Sequence, residues 1–430
     1  MAGPYYCDLD TAFADQTGVD NTGNEYYGVG GLLAAFIGYG NATALAAGET
    51  LYVKGTGNLT RLVKVTVNVD KSGTWAIGDD LQNYNSGGGA AGDDWAGLLV
   101  FIDATTLWIE LDSGGDVDTV DTADGVDNIT QTDNIPGANM TAASAPGMQV
   151  KTSGGSPSAD TLLKVVGVNG SWTEDGTVFT LDGGGDADFC IDSDKNGYEY
   201  RNMVLTNSTG DCFNTSGLNY VFMNCSATSS AGGSGFNCNR GVFVSCEASL
   251  NNIRGFFCID TNFLMSAAIG NGSHGFSLVR ICCIGCVSHF NSSSGVFGID
   301  YGNLVFGCAI DGNGASGVWT LDGPFVVSCS RITNNTTGQI TGMSATIYDL
   351  WNFLDSVNPT SGSSVYPNFK GSSTRLTGTD EGYFDLAGDD FRQKVGSVGY
   401  RTEIDIDGVN AIYTNRGLPT MVLPKIGDEG

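Results

Sequence analysis

The sequence predicts an all-β chain wound as a solenoid. Three observations predict it: an interval of about 21 residues that recurs, short β-branched or aromatic runs set between Gly/Asn/Ser clusters, and a glycine-rich, charge-poor composition. The interval is read from the glycines that close each unit. Gly210, Gly235, Gly255, Gly275, Gly295, Gly317 and Gly338 are separated by 25, 20, 20, 20, 22 and 21 residues. Periods of this size belong to leucine-rich repeats or β-solenoids, and the leucine pattern of the former is missing. Runs such as "GVFVSC" and "GPFVVSC" favour strands over helices.

Composition excludes several functions. Among 430 residues there are 64 glycines, about twice the usual share, while 41% are apolar, enough to fill a core. The formal charge of −28, from 47 acidic and 19 basic residues, repels a nucleic-acid duplex or an anionic membrane, so neither is an expected partner. The opening "MAGPYYCDLD" is polar, and no apolar stretch approaches the roughly 18 residues of a membrane span. The expectation is synthesis in a reducing cytoplasm without a signal peptide, with the 12 cysteines as free thiols.

Four segments follow in order. Residues 1–56 read as an N-terminal cap and first strand, with "ALAAGETLYVKG" (Ala44–Gly55) as that strand. From 57 to 140 the period vanishes, and strand, glycine-rich loop, strand, "DATT" turn and strand predict an inserted small antiparallel module. Residues 141–347 carry the rungs, and 348–430 read as a C-terminal β region. Within the rungs, equivalent residues stack about 4.8 Å apart. One column holds Cys246, Ser266, Cys286, Cys308 and Cys329 as small core fillers beside Val242, Val244, Leu264, Ile284, Leu304, Phe306, Phe325 and Val327. Asn251, Asn271, Asn291, Asn313 and Asn334 form a second column, whose amides are suited to bonding along the axis.

The asparagine ladder, the stacked core column and the Asn-x-x-x-Gly turns resemble the right-handed parallel β-helix proteins of the pectin-lyase-like superfamily, over about Ala187–Ile347. "DDFRQKVGSVGY" (Asp389–Tyr400) is similar to the closing segment of many bacterial members, with Gln393 where an apolar residue is usual. The inserted module resembles compact modules of phage tail and capsid accessory proteins. Together these imply a virion surface part, a tailspike, fibre or capsid decoration, on which three β-helices pack around an axis and host glycan is a candidate ligand. Since the superfamily also contains lyases and hydrolases, the alternative is a polysaccharide depolymerase or lyase. A cellular adhesin would need a secretion route.

Candidate sites follow from the columns. Arg240, Asp260, Arg280, Asp300 and Asp322 stand five residues after each glycine as a charge ladder, and Asp300 with Asp322 offers paired carboxylates at glycosidase spacing. Asp260, Arg280, Asp300 and Asp322 are therefore the candidate catalytic set, weighed against a structural turn column. Asp192, Asp194 and Asn196 in "DSDKNGYE" open like a calcium loop, although Met203 stands where the closing glutamate belongs. No other cofactor is expected. Cys283, Cys286 and His289 lack a second half of a zinc site and read as filler; His274 and His289 are expected at the surface or in turns. If the strand before each core cysteine alternates strictly, Phe222, Phe243, Phe263, Cys283, Val305 and Val326 face outward, an apolar stripe suited to another copy of the chain.

Overall fold

In a computed structural model the chain forms a parallel β-helix of about 13 turns with an antiparallel sheet set into it. The structure describes residues 4–11, 13, 25–37, 45–84, 95–112, 115–150, 162–299, 303–321, 324–328, 330–342 and 346–350, and beyond these the short strands Phe353–Leu354, Thr360–Gly362, Val365–Pro367, Tyr383–Asp385 and Asp390–Gln393.

Each central turn has three faces. Phe256–Leu264 spans the first and second and Ala267–Ile269 the third; the next turn repeats this with Phe276–Ile284 and Val287–His289, in register residue for residue. Left-handed residues mark the corners. Arg240, Asp260 and Arg280 have φ of 51°, 52° and 56° between the first and second faces. Ser245, Met265, Gly285 and Gly307 lie between the second and third, and Leu250, Gly270, Phe290 and Gly312 close the third, with φ from 49° to 64°. A left-handed residue turns the chain sharply and resets the two-residue alternation. Phe243 and Cys246 therefore both point inward, although they lie three apart.

This reset overturns the expected outward stripe. Phe222, Phe243, Phe263, Cys283 and Val305 are each 0% exposed and form the core. Tyr200, Phe222, Phe243 and Phe263 stack with ring centroids 5.6, 4.5 and 5.0 Å apart. A second column, Phe236, Phe256 and Phe276, stacks at 5.4 and 5.0 Å and meets the first edge-on. Val326 pairs with Leu304, not Val305, and is half-buried on the outer side. Conversely Val242, Val244, Leu264, Ile284 and Leu304, expected inside, are only half-buried and face out, and Phe306, in register with Ile284, shares their outer side although it is 8% exposed.

The cysteine column contains Cys225, Cys246, Ser266, Cys286 and Cys308, all buried. Its next member is Ser330, whose Oγ accepts from the Cys308 amide at 3.1 Å; Cys329 lies outside the described residues. Every described cysteine is a free thiol, and burial pushes those of Cys225, Cys286 and Cys308 far up, so they stay protonated at neutral pH.

The ladder runs from Asn251 through Asn271, Asn291 and Asn313 to Asn335, with Nδ2 to Oδ1 distances of 3.0, 2.8, 2.9 and 2.9 Å. Asn334, expected as the last member, is exposed, with φ of 56°. The final turn is displaced by one because Gly317 lies in register with Gln339, not Gly338. Gln339 then accepts the last amide proton, from Asn335 Nδ2 at 2.7 Å, which ends the ladder. The closing glycines make room for these amides. A Cβ on Gly255 would lie 2.7 Å from the Gly275 carbonyl oxygen and 2.9 Å from Asn271 Nδ2.

At the N-terminal end the helix Gly28–Ile37 covers the coil, with the Phe36 ring against Tyr198 at 6.3 Å. The strands Thr50–Lys54 and Thr56–Asn58 pair with Leu163–Gly167 and Phe179–Asp182, so the chain between them leaves and re-enters the coil. It forms a seven-stranded antiparallel sheet around Val63, Val65, Leu99, Leu107 and Ile109. Its first and last strands, Leu62–Val67 and Met140–Ser144, are neighbours, which brings exit and re-entry together. The "DATT" turn joins Ala96–Ile102 to Thr106–Leu111. Glu110 from this sheet reaches the N-terminus of the helix, where its Oε2 accepts from the Gly30 amide at 2.6 Å. At the other end parallel pairing runs on through the start of the expected C-terminal β region, from Thr346–Leu350 to Val365–Pro367.

Candidate functional site

Two surfaces of the coil bear on function: the corner between the first and second faces, and the outer side of the second face. At the corner the structure brings Arg240, Asp260 and Arg280 together. Asp260 accepts from Arg280 Nε at 2.5 Å and Nη2 at 2.9 Å, and Arg240 Nε lies 3.6 Å from its other side. In-register strands fix the spacing, and the left-handed corner turns all three side chains outward. A carboxylate held bidentate by one guanidinium and flanked by another has both oxygens engaged, which suits a salt ladder. Asp300 and Asp322 lie outside the described residues. Since both arginines are half-exposed or more, we expect Arg280→Ala to change unfolding free energy by less than about 1 kcal/mol, and less again in high salt. Urea midpoints at two salt concentrations check this.

The candidate calcium residues are engaged separately. Asp192 accepts from Asn214 Nδ2 at 2.9 Å and Gln149 Nε2 at 3.2 Å, as part of an amide column on the first face. Asn196 Oδ1 accepts from the Leu218 amide at 2.7 Å, and Asp194 pairs with Lys195 at 3.2 Å. Among the described residues no group of three or more His, Cys, Asp or Glu is placed to hold a metal ion. Both histidines are buried; His274 lies in the turn between Ala267–Ile269 and Phe276–Ile284, as expected of a turn residue, whereas His289 lies within the strand Val287–His289, contrary to expectation. His274 stacks on Phe297 at 4.6 Å and its Nδ1 accepts from the Ser294 amide, while burial and then Arg254 pull its pKa down to about 4. His289 faces Asp311, with Nδ1 3.4 Å from the carboxylate.

The outer side of the second face is two in-register columns. Met223, Val244, Leu264, Ile284 and Phe306 form one, and Val221, Val242, Asn262, Cys282, Leu304 and Val326 the other. Neither stretch contains a charged residue, and the turn before them continues the two columns with the ion pair of Glu199 and Arg201. Met265, 51% exposed, borders them at the corner. Sequence reading placed most of these residues inside. The signal that could have corrected it is the column Asn224, Ser245, Met265, Gly285 and Gly307 between the inward Phe222, Phe243, Phe263, Cys283 or Val305 and the inward cysteine or serine, in which the asparagine and the two glycines tolerate a left-handed corner although Met265 gives no such sign.

No protein-family model and no curated protein sequence matches the chain. Among solved structures, it is similar to the A-module of the Azotobacter vinelandii mannuronan C-5 epimerase AlgE4, at 16% identity and TM-score 0.39, over 49% of this chain and 67% of that one. It is also similar to pectate lyase Pel9A, at 10% identity and TM-score 0.41, over 90% and 84% of the two chains. A third is tailspike protein 3 of bacteriophage CBA120, at 9% identity and TM-score 0.26, over 54% of this chain and 49% of that one.

Proposed function

We propose that the protein is a structural part of a virion surface, a tailspike, fibre or capsid decoration, in which three copies of the β-helix pack side by side. The virion assignment rests on the sequence resemblance of coil and inserted module. The observation that carries the assembly is the part of the second face's outer side between Val221 and Val326, whose two columns hold no charged residue and where Val244, Leu264, Ile284 and Leu304 are half-buried in the single chain. A molecule of formal charge −28 repels its own copies over most of its surface, so a strip without charge is where close approach costs least. The competing reading is polysaccharide cleavage through Asp260, Asp300 and Asp322. The guanidinium clamp on Asp260 favours the structural role.

Size-exclusion chromatography with light scattering tests the assembly. We expect a trimer for the wild type and a monomer for Leu264→Asp combined with Ile284→Asp, substitutions on half-buried outer positions that leave the core untouched. A wild-type monomer refutes the proposal. Oligosaccharide release from host surface polysaccharide, lost in Asp260→Asn, would establish the enzymatic reading instead.

A further inference from the structure

The first turns of the coil carry a cleft that is separate from both surfaces above. The strands Tyr5–Asp8, Glu25–Tyr27 and Thr50–Lys54 lie side by side, so their outward residues form a grid. Glu25, Tyr6 and Tyr52 make one row, and Tyr27, Asp8 and Lys54 the next. Trp172 leans over this grid and, with Tyr6, Asp8, Glu25, Tyr26, Tyr27 and Lys54, lines a half-open cleft of about 230 Å³.

The cleft is organised before any ligand arrives. Tyr6 stacks on Tyr52 at 5.7 Å and meets the Trp172 ring at 4.9 Å with the planes 68° apart. Trp172 is held at φ of 61°, a conformation that a bulky residue adopts only under constraint. Asn169 supplies the constraint: its Oδ1 accepts from the amides of Ser171 and Thr173, and its carbonyl from that of Trp172 at 2.9 Å. Along the polar edge Tyr27 donates to Glu25 Oε2 at 2.6 Å, and Lys54 pairs with Asp8 at 2.9 Å.

We propose that this cleft binds a neutral saccharide, one or two hexose units of a longer glycan. Ring faces beside carboxylate and ammonium groups match a pyranose, which presents C–H bonds on its faces and hydroxyls around its rim. Charge narrows the class. Asp8 and Glu25 outnumber Lys54, and the whole chain is strongly acidic, so a uronic acid or phosphorylated sugar is repelled. Aromatic rings beside carboxylates also suit an ammonium ligand. Here the position over Trp172 is taken by the protein's own cation, Lys54 Nζ, 4.4 Å from the ring centroid. A neutral ligand needs no displacement of that ion pair.

Saturation-transfer NMR on the full chain is the test, with neutral oligosaccharides of glucose, galactose and N-acetylglucosamine as probes at about 10 mM, suited to affinities in the millimolar range. We expect transfer to the ring C–H protons of at least one probe, its loss in Trp172→Ala, and about tenfold weaker binding in Tyr27→Phe, which keeps the ring but not its hydroxyl. Absence of transfer from every probe overturns the proposal, as does transfer that survives Trp172→Ala. Choline competing for the site overturns it in favour of an ammonium ligand. Light scattering decides the oligomer independently, so the two proposals fail separately.

Discussion

Asn291→Ala is expected to be among the most destabilising single changes in the coil, by about 3–5 kcal/mol. The Asn291 carboxamide accepts from both the backbone amide and the side chain of Asn271, at 3.0 and 2.8 Å. It donates to the Ala268 carbonyl, Ser288 Oγ and Asn313 Oδ1 at 2.9–3.0 Å. All of this is buried, with Asn291 itself 1% exposed. Truncation therefore leaves two buried donors on Asn271, its backbone N–H and one Nδ2–H, without their acceptor. Each orphaned buried group costs about 1–3 kcal/mol. Thermal unfolding followed by circular dichroism reads the change, with the exposed Asn252→Ala as a control expected within about 0.5 kcal/mol of wild type. Equal midpoints for the two variants would show that the ladder contributes nothing beyond its backbone turns.

The same ladder explains why the coil was legible. An amide column requires glycine beside it, since a Cβ on Gly275 would lie 2.5 Å from Ser288 Oγ and 2.7 Å from the Gly295 carbonyl. Geometry thus writes itself into the letters at a fixed interval. Parity was not legible, because the residues that reset it include Arg240, Met265 and Phe290, side chains that do not announce a left-handed backbone. One misplaced reset exchanges inside for outside along a whole face. Phe243 and Val244 changed places for this reason, and the one-residue displacement at Gln339 moved Asn335 and Ser330 into columns assigned to Asn334 and Cys329. The aromatic cleft had no signal of this kind, since Tyr6, Tyr27, Lys54 and Trp172 come from separate segments with no shared period. Glu110 is similar: its partner is a helix terminus eighty residues earlier in the chain.

Two buried groups are expected to hide each other's pH dependence. Burial pushes the Glu110 carboxyl up to about 7, against the pull of the Gly30 amide, Arg61, and the Phe13 and Val29 amides. Between its ordinary value of 4.5 and about 7 the unfolded chain releases a proton that the folded chain keeps, so stability falls as pH rises. His274 runs the other way. Its ordinary value is 6.5 and its folded value about 4, so between these the unfolded chain holds a proton the folded chain lacks, and stability rises with pH. From about pH 4.5 to 6.5 the two slopes oppose each other, and the wild type should be nearly flat there. Glu110→Gln removes the falling limb and should leave stability that climbs by about 3 kcal/mol from pH 4 to 6.5. His274→Phe, which keeps the stack on Phe297, should leave a decline of similar size from pH 4.5 to 7. The slopes, not the levels, carry the inference, since either substitution also removes an acceptor for a backbone amide. Urea unfolding across this range reads them directly. A Glu110→Gln profile parallel to wild type would mean that the carboxylate joining module and helix is ionised throughout, held by the helix N-terminus more strongly than burial opposes it.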